Sequence, residues 1–341
     1  MTAHLKHLVG LLTGLTLATG AMADDLKPVR IGWQPTTTVE AQVAHTLAKT
    51  DILERNGLKG EFIMFTYGPA VNEALISGAI DVGFVGDMPS VSLLATGAPV
   101  SIVARQSVFR GSILSAAKSG IHSLTDLKGQ KIYGPYGSSI YRSALNMITE
   151  SRLQPGRDVE VVNMGFADLA DALKAGRIDA LFVWDPWIEL FVTEGLALEL
   201  KADTSLTMVV AMRDDYVKSA PDLVERFLKA HKEALLFAAT NHSLVNDWFR
   251  QPEPARRLSP QTIDTATAYD PAWKAQKLAD IRLAFSPQEF ERYKDIARFA
   301  QQLKITPVLA PIEAKTNLEA ARKLDAATWP FDQSAVKIIS R

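Results

Sequence analysis

Hydroxyl side chains occur at two places where the sequence predicts a strand turning into a helix. Residues 34–38 read QPTTT, and residues 137–141 read GSSIY. Hydroxyls and free backbone N–H groups at a helix N-terminus suit a small oxyanion, because the helix dipole adds ~0.3–1 kcal/mol per charge. Ser and Thr are also ordinary helix N-caps, so either turn alone favours capping. The two turns together, at matching positions of a repeated unit, favour an anion site.

Two further strand ends carry an aspartate with a proline close behind it, GDMP at 86–89 and WDPW at 184–187. Trp184 and Trp187 would form an apolar wall, and with the Asp185 carboxylate they would suit an apolar or ammonium-bearing ligand tail. The alternative is that the aspartate of each motif, Asp87 or Asp185, caps the helix that follows it. Both interpretations stay open, and the roles overlap.

An internal repeat predicts the elements that position these residues. Residues 74–87 (ALISGAIDVGFVGD) align with residues 172–185 (ALKAGRIDALFVWD) at a constant offset of 98 positions. Each copy reads as a helix end, a glycine turn and a buried parallel strand. Alternating strands and helices in two such units predict an α/β protein of two similar lobes. Because ligands bind beyond the carboxyl ends of parallel strands, the four motifs should face one cleft.

The segment between the repeats predicts how the lobes are connected. Residues 100–104 and 112–117 are strand-like runs separated by a polar link at 105–111, and a third run covers 207–212. We interpret them as crossovers, so residues 24–112 plus 208–341 form lobe I with the C-terminal helices, and residues 113–207 form lobe II. Arg105, Arg110 and Arg142 are candidate counter-charges for an anion, or simply solvated.

Composition excludes several classes of protein. The 341 residues contain no cysteine, which excludes disulfides, thiolate zinc sites, iron–sulfur clusters and a cysteine nucleophile. The net charge is −1 and no basic block occurs, which argues against nucleic-acid binding. P-loop, GxGxxG, GxSxG and HExxH motifs are missing, and the histidines have no metal-ligand spacing. We therefore predict no catalysis, no cofactor and no metal, and we expect a monomer.

The first 23 residues have the pattern of a secretory signal peptide. Lys6 precedes an apolar stretch at 8–18, and Ala21-Met22-Ala23 is the small-x-small pattern of a cleavage site. The stretch is too short to cross a bilayer core, which takes roughly 20 residues. We predict a mature chain that starts at Asp24, is exported to a periplasm and is not lipid-anchored, since it has no cysteine.

Six motifs occur in a fixed order between residues 29 and 212: IGWQP (31–35), ALxxGxIDxG (74–83), GDxP (86–89), DLKGQKI (126–132), GSS (137–139) and GxIDAxxVWDP (176–186). In this order they resemble the periplasmic binding proteins of ABC importers for taurine, aliphatic sulfonates and nitrate. The resemblance implies the bilobed type II fold, with two similar parallel-sheet lobes on a two-strand hinge. It also implies these ligand-binding residues: Gln34, Thr36, Thr37, Thr38, Gly86, Asp87, Met88, Ser138, Ser139, Tyr141, Trp184, Asp185 and Trp187.

The resemblance implies a receptor that delivers a small organic anion, a sulfonate or taurine-like compound, to a permease in the inner membrane. Ile140, Tyr141 and Trp187 depart from the residues common in that family. Nitrate, a pyrimidine vitamin precursor and an aromatic carboxylate therefore stay open as ligands. An exported enzyme on the same fold is the other alternative, but the enzymes of similar fold use cysteines, which this chain lacks.

Overall fold

The computed structural model describes residues 26–219 and 222–339, so the predicted signal peptide lies outside the described residues. Eight strands form one sheet in the order β2-β1-β3-β8-β4-β7-β5-β6. The strands are β1 (Lys27–Trp33), β2 (Leu58–Met64), β3 (Val82–Gly86), β4 (Val100–Ala116), β5 (Lys131–Gly134), β6 (Glu160–Asn163), β7 (Ala180–Trp184) and β8 (Ala197–Arg213).

Thirteen α-helices occur in the described part of the chain. They are α1 (Thr38–Lys49), α2 (Ile52–Arg55), α3 (Gly68–Ser77), α4 (Asp87–Ala95), α5 (Ser139–Glu150), α6 (Phe166–Lys174), α7 (Trp187–Thr193), α8 (Asp214–Ser219), α9 (Asp222–Thr240), α10 (His242–Phe249), α11 (Pro260–Thr267), α12 (Pro287–Gln302) and α13 (Glu319–Ala326). Short 3-10 helices occur at Leu124–Leu127, Ala255–Arg257, Pro271–Lys274, Leu278–Asp280 and Gln333–Ala335.

The sheet consists of two parallel parts separated by two long antiparallel strands. Strand β1 pairs in parallel with β2 and β3, and β5 pairs in parallel with β6 and β7. Strands β4 and β8 lie between these parts and pair antiparallel along their length. We call β1–β3 with α1, α3 and α4 the first half, and β5–β7 with α5, α6 and α7 the second half. The predicted α/β fold with two similar halves is confirmed.

The internal repeat folds as the sequence predicts. Strands β3 and β7 are buried along their whole length, as expected for strands covered on both faces. Gly78 ends α3 in the left-handed conformation (φ 75°), and Gly176 after α6 has φ 63°. A side chain is disfavoured at such φ values, so glycine suits both turns.

The prediction of two short strands joined by a polar link at 105–111 is wrong. Strand β4 is continuous through this segment and pairs with β8, with register shifts at Arg105/Ser107 and Phe109/Gly111. The polar side chains are buried in the strand because carboxylates from distant parts of the chain neutralise Arg105 and Arg110. Strand β8 is also longer than the predicted 207–212. The proposed lobe boundaries fall inside these two strands and stay a prediction.

The C-terminal helices cover the first half. Helix α9 packs against α1, and α12 packs against α4. Helix α12 begins with a capping box, in which the Glu289 N–H donates to Ser286 Oγ (3.2 Å) and the Ser286 N–H donates to the Glu289 carboxylate (2.7 Å). Within residues 26–219 and 222–339, no helix has the length and apolarity needed to cross a membrane.

Candidate ligand-binding cleft

A small cavity lies between the two halves at the carboxyl ends of their strands. Its volume is about 30 Å³, room for about two water molecules. Six of the predicted site residues line it, namely Gln34, Thr37, Gly86, Ser138, Ser139 and Trp184. The other lining residues are Tyr67, Gly68, Pro89, Phe109, Ile140 and Met208. Both halves and both long strands therefore contribute to one cavity.

Helices α1 and α5 begin at the cavity, one from each half. Thr37 is the N-cap of α1, and in the described structure its side chain makes no capping hydrogen bond. Ser138 is the N-cap of α5, where its Oγ accepts the Tyr141 N–H (3.2 Å) and donates to the Pro135 carbonyl (2.7 Å). Ser139 Oγ is buried and has no hydrogen-bond partner within the described chain. Ser138 therefore serves as a cap, while the Ser139 hydroxyl remains available to a ligand.

Part of the apolar lining of the cavity comes from Phe109 and Met208, which the sequence analysis did not select. Phe109 lies on β4 and Met208 on β8, and both are buried. Ile140, next to Ser139 on α5, is fully buried. Phe109 was not selected because residues 105–111 were predicted to be a polar link between strands. Tyr67 and Gly68 were also missed, although the Gly-Pro pair at 68–69 is a helix-start signal that could have pointed to them.

Gly86 of the first half lies close to Ser139 of the second half at the cavity. A Cβ atom built on Gly86 would lie 2.5 Å from Ser139 Oγ, closer than real Cβ atoms approach other heavy atoms. Its backbone is ordinary (φ −66°), so the glycine is required for space and not for conformation. The missing side chain lets the Ser139 hydroxyl lie against the first half.

Two indoles from the second half bind one carbonyl of the first half. Trp184 Nε1 donates to the Thr36 carbonyl at 2.9 Å, and Trp187 Nε1 donates to the same oxygen at 3.0 Å. We call this pair of hydrogen bonds the Thr36 bridge. Trp184 lines the cavity, whereas Trp187 is fully buried outside the lining and packs on Phe166 with ring centroids 4.5 Å apart. The indoles thus hold the two halves together.

The aspartates of the GDMP and WDPW motifs both accept hydrogen bonds from other groups of the protein. Asp87 Oδ1 accepts the Met88 N–H (2.7 Å), and Oδ2 accepts the Thr207 N–H of β8 (3.2 Å). Asp185 accepts Arg110 Nε (2.8 Å) and Nη2 (2.9 Å). Burial raises the pKa of Asp185 to about 7, and the Arg110 guanidinium opposes that rise. These contacts give both carboxylates structural partners.

The remaining predicted site residues lie outside the lining. Met88 is fully buried in the apolar cluster under α4, and Tyr141 stacks on Tyr136 with centroids 4.5 Å apart. Thr38 is buried at the start of α1. Thr36 contributes its carbonyl to the Thr36 bridge, and its Oγ1 is buried without a partner among the described residues.

The three candidate arginines each face a carboxylate of the chain. Arg105 lies 3.4 Å from Asp270 and 3.4 Å from Glu289, and Arg142 lies 3.7 Å from Asp203. Arg110 pairs with Asp185, as above. Over the described ranges, none of the three lines the cavity, and no cluster of three or more acidic, histidine or cysteine side chains could hold a metal ion. An anion here would therefore be held by N–H and O–H dipoles.

Glu40 lies in the first turn of α1, completely buried beneath the cavity residue Gln34. Its Oε1 accepts the Gln34 N–H at 2.9 Å. Burial raises the pKa of Glu40 well above its usual range, and the bond from Gln34 opposes the rise. Burial therefore favours the neutral form of this side chain, which competes less with an anion for the positive end of the α1 dipole than a carboxylate would.

One sheet with two parallel parts, closing on a cavity at the N-termini of helices from both sides, has the architecture of periplasmic binding proteins. A family model described as NMT1/THI5 like matches residues 53–242, more than half of the chain. The chain belongs to this family.

The chain is also similar to individual named proteins. The chain is 31% identical over 204 residues to a putative aliphatic sulfonates-binding protein of Escherichia coli K12, covering 58% of this chain and 62% of that protein, under two thirds of its length. It is 26% identical to the taurine-binding periplasmic protein of the same organism, covering 64% and 67%. The alkanesulfonate-binding protein of Xanthomonas axonopodis pv. citri, solved with MOPS, superposes with a TM-score of 0.70 at 22% identity, covering 85% and 97%.

Proposed function

We propose that the protein is a periplasmic receptor of an ABC importer that captures a small sulfonate between two lobes. The observation that carries the proposal is the cavity at the N-termini of α1 and α5, with the Ser139 hydroxyl unpartnered in it within the described chain. Two helix dipoles and a free hydroxyl suit an oxyanion, and the wall of Phe109, Ile140 and Met208 suits an alkyl tail. The names of the sulfonate-binding and taurine-binding relatives support the same ligand class.

In this proposal the ligand acts by stabilising the closed arrangement. Residues 24–112 with 208–341 would move as lobe I against residues 113–207 as lobe II, about the β4–β8 pair. A ligand that contacts α1 and α5 at once binds the closed form better than an open one, so it shifts the population towards closure. The inner-membrane permease would recognise that form. The signal peptide at 1–23 would deliver the mature chain to the periplasm as an unanchored monomer.

Nitrate is the second candidate, because the small volume of the cavity favours it. The apolar side chains Phe109, Ile140 and Met208 favour the sulfonate, since nitrate has no carbon tail to bury against them. A receptor for either anion would use the same helix ends.

A thermal-shift screen separates these candidates. We expect 1-propanesulfonate and ethanesulfonate to raise the unfolding midpoint, since a ligand at 100 times its Kd adds about 2.7 kcal/mol of stability. A shift with nitrate or an aromatic carboxylate, and none with any sulfonate, would contradict the sulfonate assignment and leave the receptor class standing.

Two neighbouring serines supply a matched test of the site. Ser139→Ala should weaken sulfonate binding about tenfold, or ~1.4 kcal/mol, because the free hydroxyl is removed. Ser138→Ala removes the cap of α5 and should instead lower the free energy of unfolding by about 1 kcal/mol. Isothermal titration gives the Kd, and denaturant unfolding gives the stability. A larger loss of affinity in Ser138→Ala than in Ser139→Ala would refute this division of roles.

A further inference from the structure

A larger cavity lies beside the two long strands and shares no lining residue with the small cavity between the halves, the cleft cavity. Its volume is about 430 Å³, within the range of small-molecule sites. Val108 of β4 lines it, whereas the next residue, Phe109, lines the cleft cavity. Because consecutive side chains of a strand point to opposite faces, the larger cavity lies on the other face of β4. We call it the rear cavity; Thr204 of β8 and residues between 269 and 292 supply much of its lining.

Four polar groups on the lining of the rear cavity make no hydrogen bond to another group of the described chain. Arg105 is only 4% exposed, and its Nε lacks a hydrogen bond although it lies 3.4 Å from Glu289 Oε1. Arg292 is half-buried and has no ion pair over residues 26–219 and 222–339. The hydroxyls of Thr204 and Tyr269 make no hydrogen bond within those ranges either. All four groups can donate a hydrogen bond, and two of them are cationic.

The carboxylates on the same lining already accept hydrogen bonds from the protein. Asp280 Oδ2 accepts two main-chain N–H groups, at 3.0 and 3.1 Å. Glu289 Oε2 accepts Arg282 Nη1 (2.7 Å) and the Ser286 N–H (2.7 Å). Burial disfavours the charge of Glu289, but these bonds outweigh it and lower the pKa of Glu289 to about 2. The negative charge of Glu289 is therefore paired with Arg282, whereas the Arg292 guanidinium has no counter-charge within the described chain.

The rest of the rear cavity offers apolar surface to a ligand. Val108, Pro271 and Ala272 contribute carbon to the lining. The Tyr269 ring lies over the Arg110 guanidinium, with Cζ 4.6 Å from the ring centroid, and this contact holds the ring in place. A guanidinium binds a carboxylate through two parallel N–H groups, and an apolar body gains free energy by leaving water. The lining therefore suits an organic acid.

We infer that the rear cavity is a second binding site, which takes a small organic carboxylate with an apolar body. The Arg292 guanidinium binds the carboxylate, and the hydroxyls of Tyr269 and Thr204 are further donors. An inorganic anion of the same charge would leave the apolar lining unfilled, so the body of the acid contributes to the selection. The inference goes beyond the proposed function, because this site lies outside the cleft and is filled whether or not a sulfonate is bound.

A charged ligand and its neutral isostere test the site by isothermal titration. Cyclohexanecarboxylate and cyclohexanecarboxamide have the same number of non-hydrogen atoms and differ in charge. At pH 7, we expect the carboxylate to bind at least about tenfold more tightly than the amide. Its Kd should stay within about threefold when the protein is saturated with 1-propanesulfonate. Equal binding of the two compounds, no binding of the carboxylate, or its displacement by the sulfonate would overturn the inference.

Two arginines of α12 supply a matched pair of variants. Arg292→Gln removes the guanidinium that has no counter-charge, and Arg298→Gln removes one that lies outside the rear cavity and pairs with Asp295. We expect Arg292→Gln to weaken binding of cyclohexanecarboxylate at least about tenfold and Arg298→Gln to change it by less than about threefold. The Kd for 1-propanesulfonate should be unchanged in both variants. Equal losses of carboxylate affinity in the two variants would overturn the inference.

These variants also separate the inference from the proposed function. If 1-propanesulfonate does not bind the wild-type protein, the proposed function fails, and the comparison of Arg292→Gln with Arg298→Gln still decides the inference. If Arg292→Gln does not fold, Tyr269→Phe takes its place, because it keeps the ring over Arg110 and removes the hydroxyl. We expect about threefold weaker carboxylate binding in Tyr269→Phe, and an unchanged Kd would overturn the inference.

Discussion

The Thr36 bridge allows the energy of closure to be measured with a conservative substitution. Trp187→Phe keeps an aromatic ring against Phe166 and removes the N–H group that donates to the Thr36 carbonyl over 3.0 Å. Trp187 lies outside the cavity lining, so direct contact with the ligand is unchanged. One such hydrogen bond contributes about 1 kcal/mol net. If the bond exists only when the lobes are closed, its loss should weaken ligand binding roughly fivefold.

Trp273 is the matched control for the loss of ring size. It is 4% exposed, stacks on His242 with centroids 4.7 Å apart, and its Nε1 has no hydrogen-bond partner within the described chain. Trp273→Phe should therefore lower stability through packing while leaving the Kd for 1-propanesulfonate unchanged. Isothermal titration measures both Kd values, and thermal unfolding measures both stabilities. An unchanged Kd in Trp187→Phe, or an equal loss in Trp273→Phe, would refute the reasoning.

Two further predictions concern close approach and pH. Gly86→Ala would place a methyl group 2.5 Å from Ser139 Oγ, so we expect at least about fivefold weaker sulfonate binding by titration. Gly165→Ala, at an ordinary φ of −64°, is the control. Equal losses of affinity in the two variants would contradict the steric argument. Burial, helped by the charge of Arg105, lowers the pKa of His231 from 6.5 to about 3, so its stabilising contribution is present above pH 6.5 and is lost as the pH falls towards 3. His231→Phe should flatten the fall in unfolding midpoint over that range, and an unchanged fall would assign it to other groups.

The repeated unit could be predicted because its signals are local. The apolar runs of β3 and β7 and the turns at Gly78 and Gly176 are each contained within a few residues. Strand β4 could not be predicted in the same way. Arg105 and Arg110 give its middle the composition of a loop, and the carboxylates that neutralise them, Asp270 and Asp185, are far away in the sequence.

The sequence predicted six residues that line the candidate cavity, but not the separate contacts that each of them makes. Ser138 and Ser139 are identical in type and adjacent, and only the structure distinguishes the cap from the free hydroxyl. Likewise, the sequence makes Trp184 and Trp187 equally good candidates for the wall of a pocket. In the structure Trp184 lines the cavity and Trp187 lies outside the lining. Such assignments depend on the direction of a side chain, which residue type and spacing leave open.

The acceptor of the Thr36 bridge is a main-chain atom, so the amino acid at position 36 can be substituted without removing it. A substitution at position 36 alters the side chain but cannot delete the carbonyl that both indoles bind. A substitution at this buried position that fits the surrounding packing therefore leaves the Thr36 bridge in place. A substitution that removes a hydrogen bond of the Thr36 bridge must instead replace one of its two donors, Trp184 or Trp187.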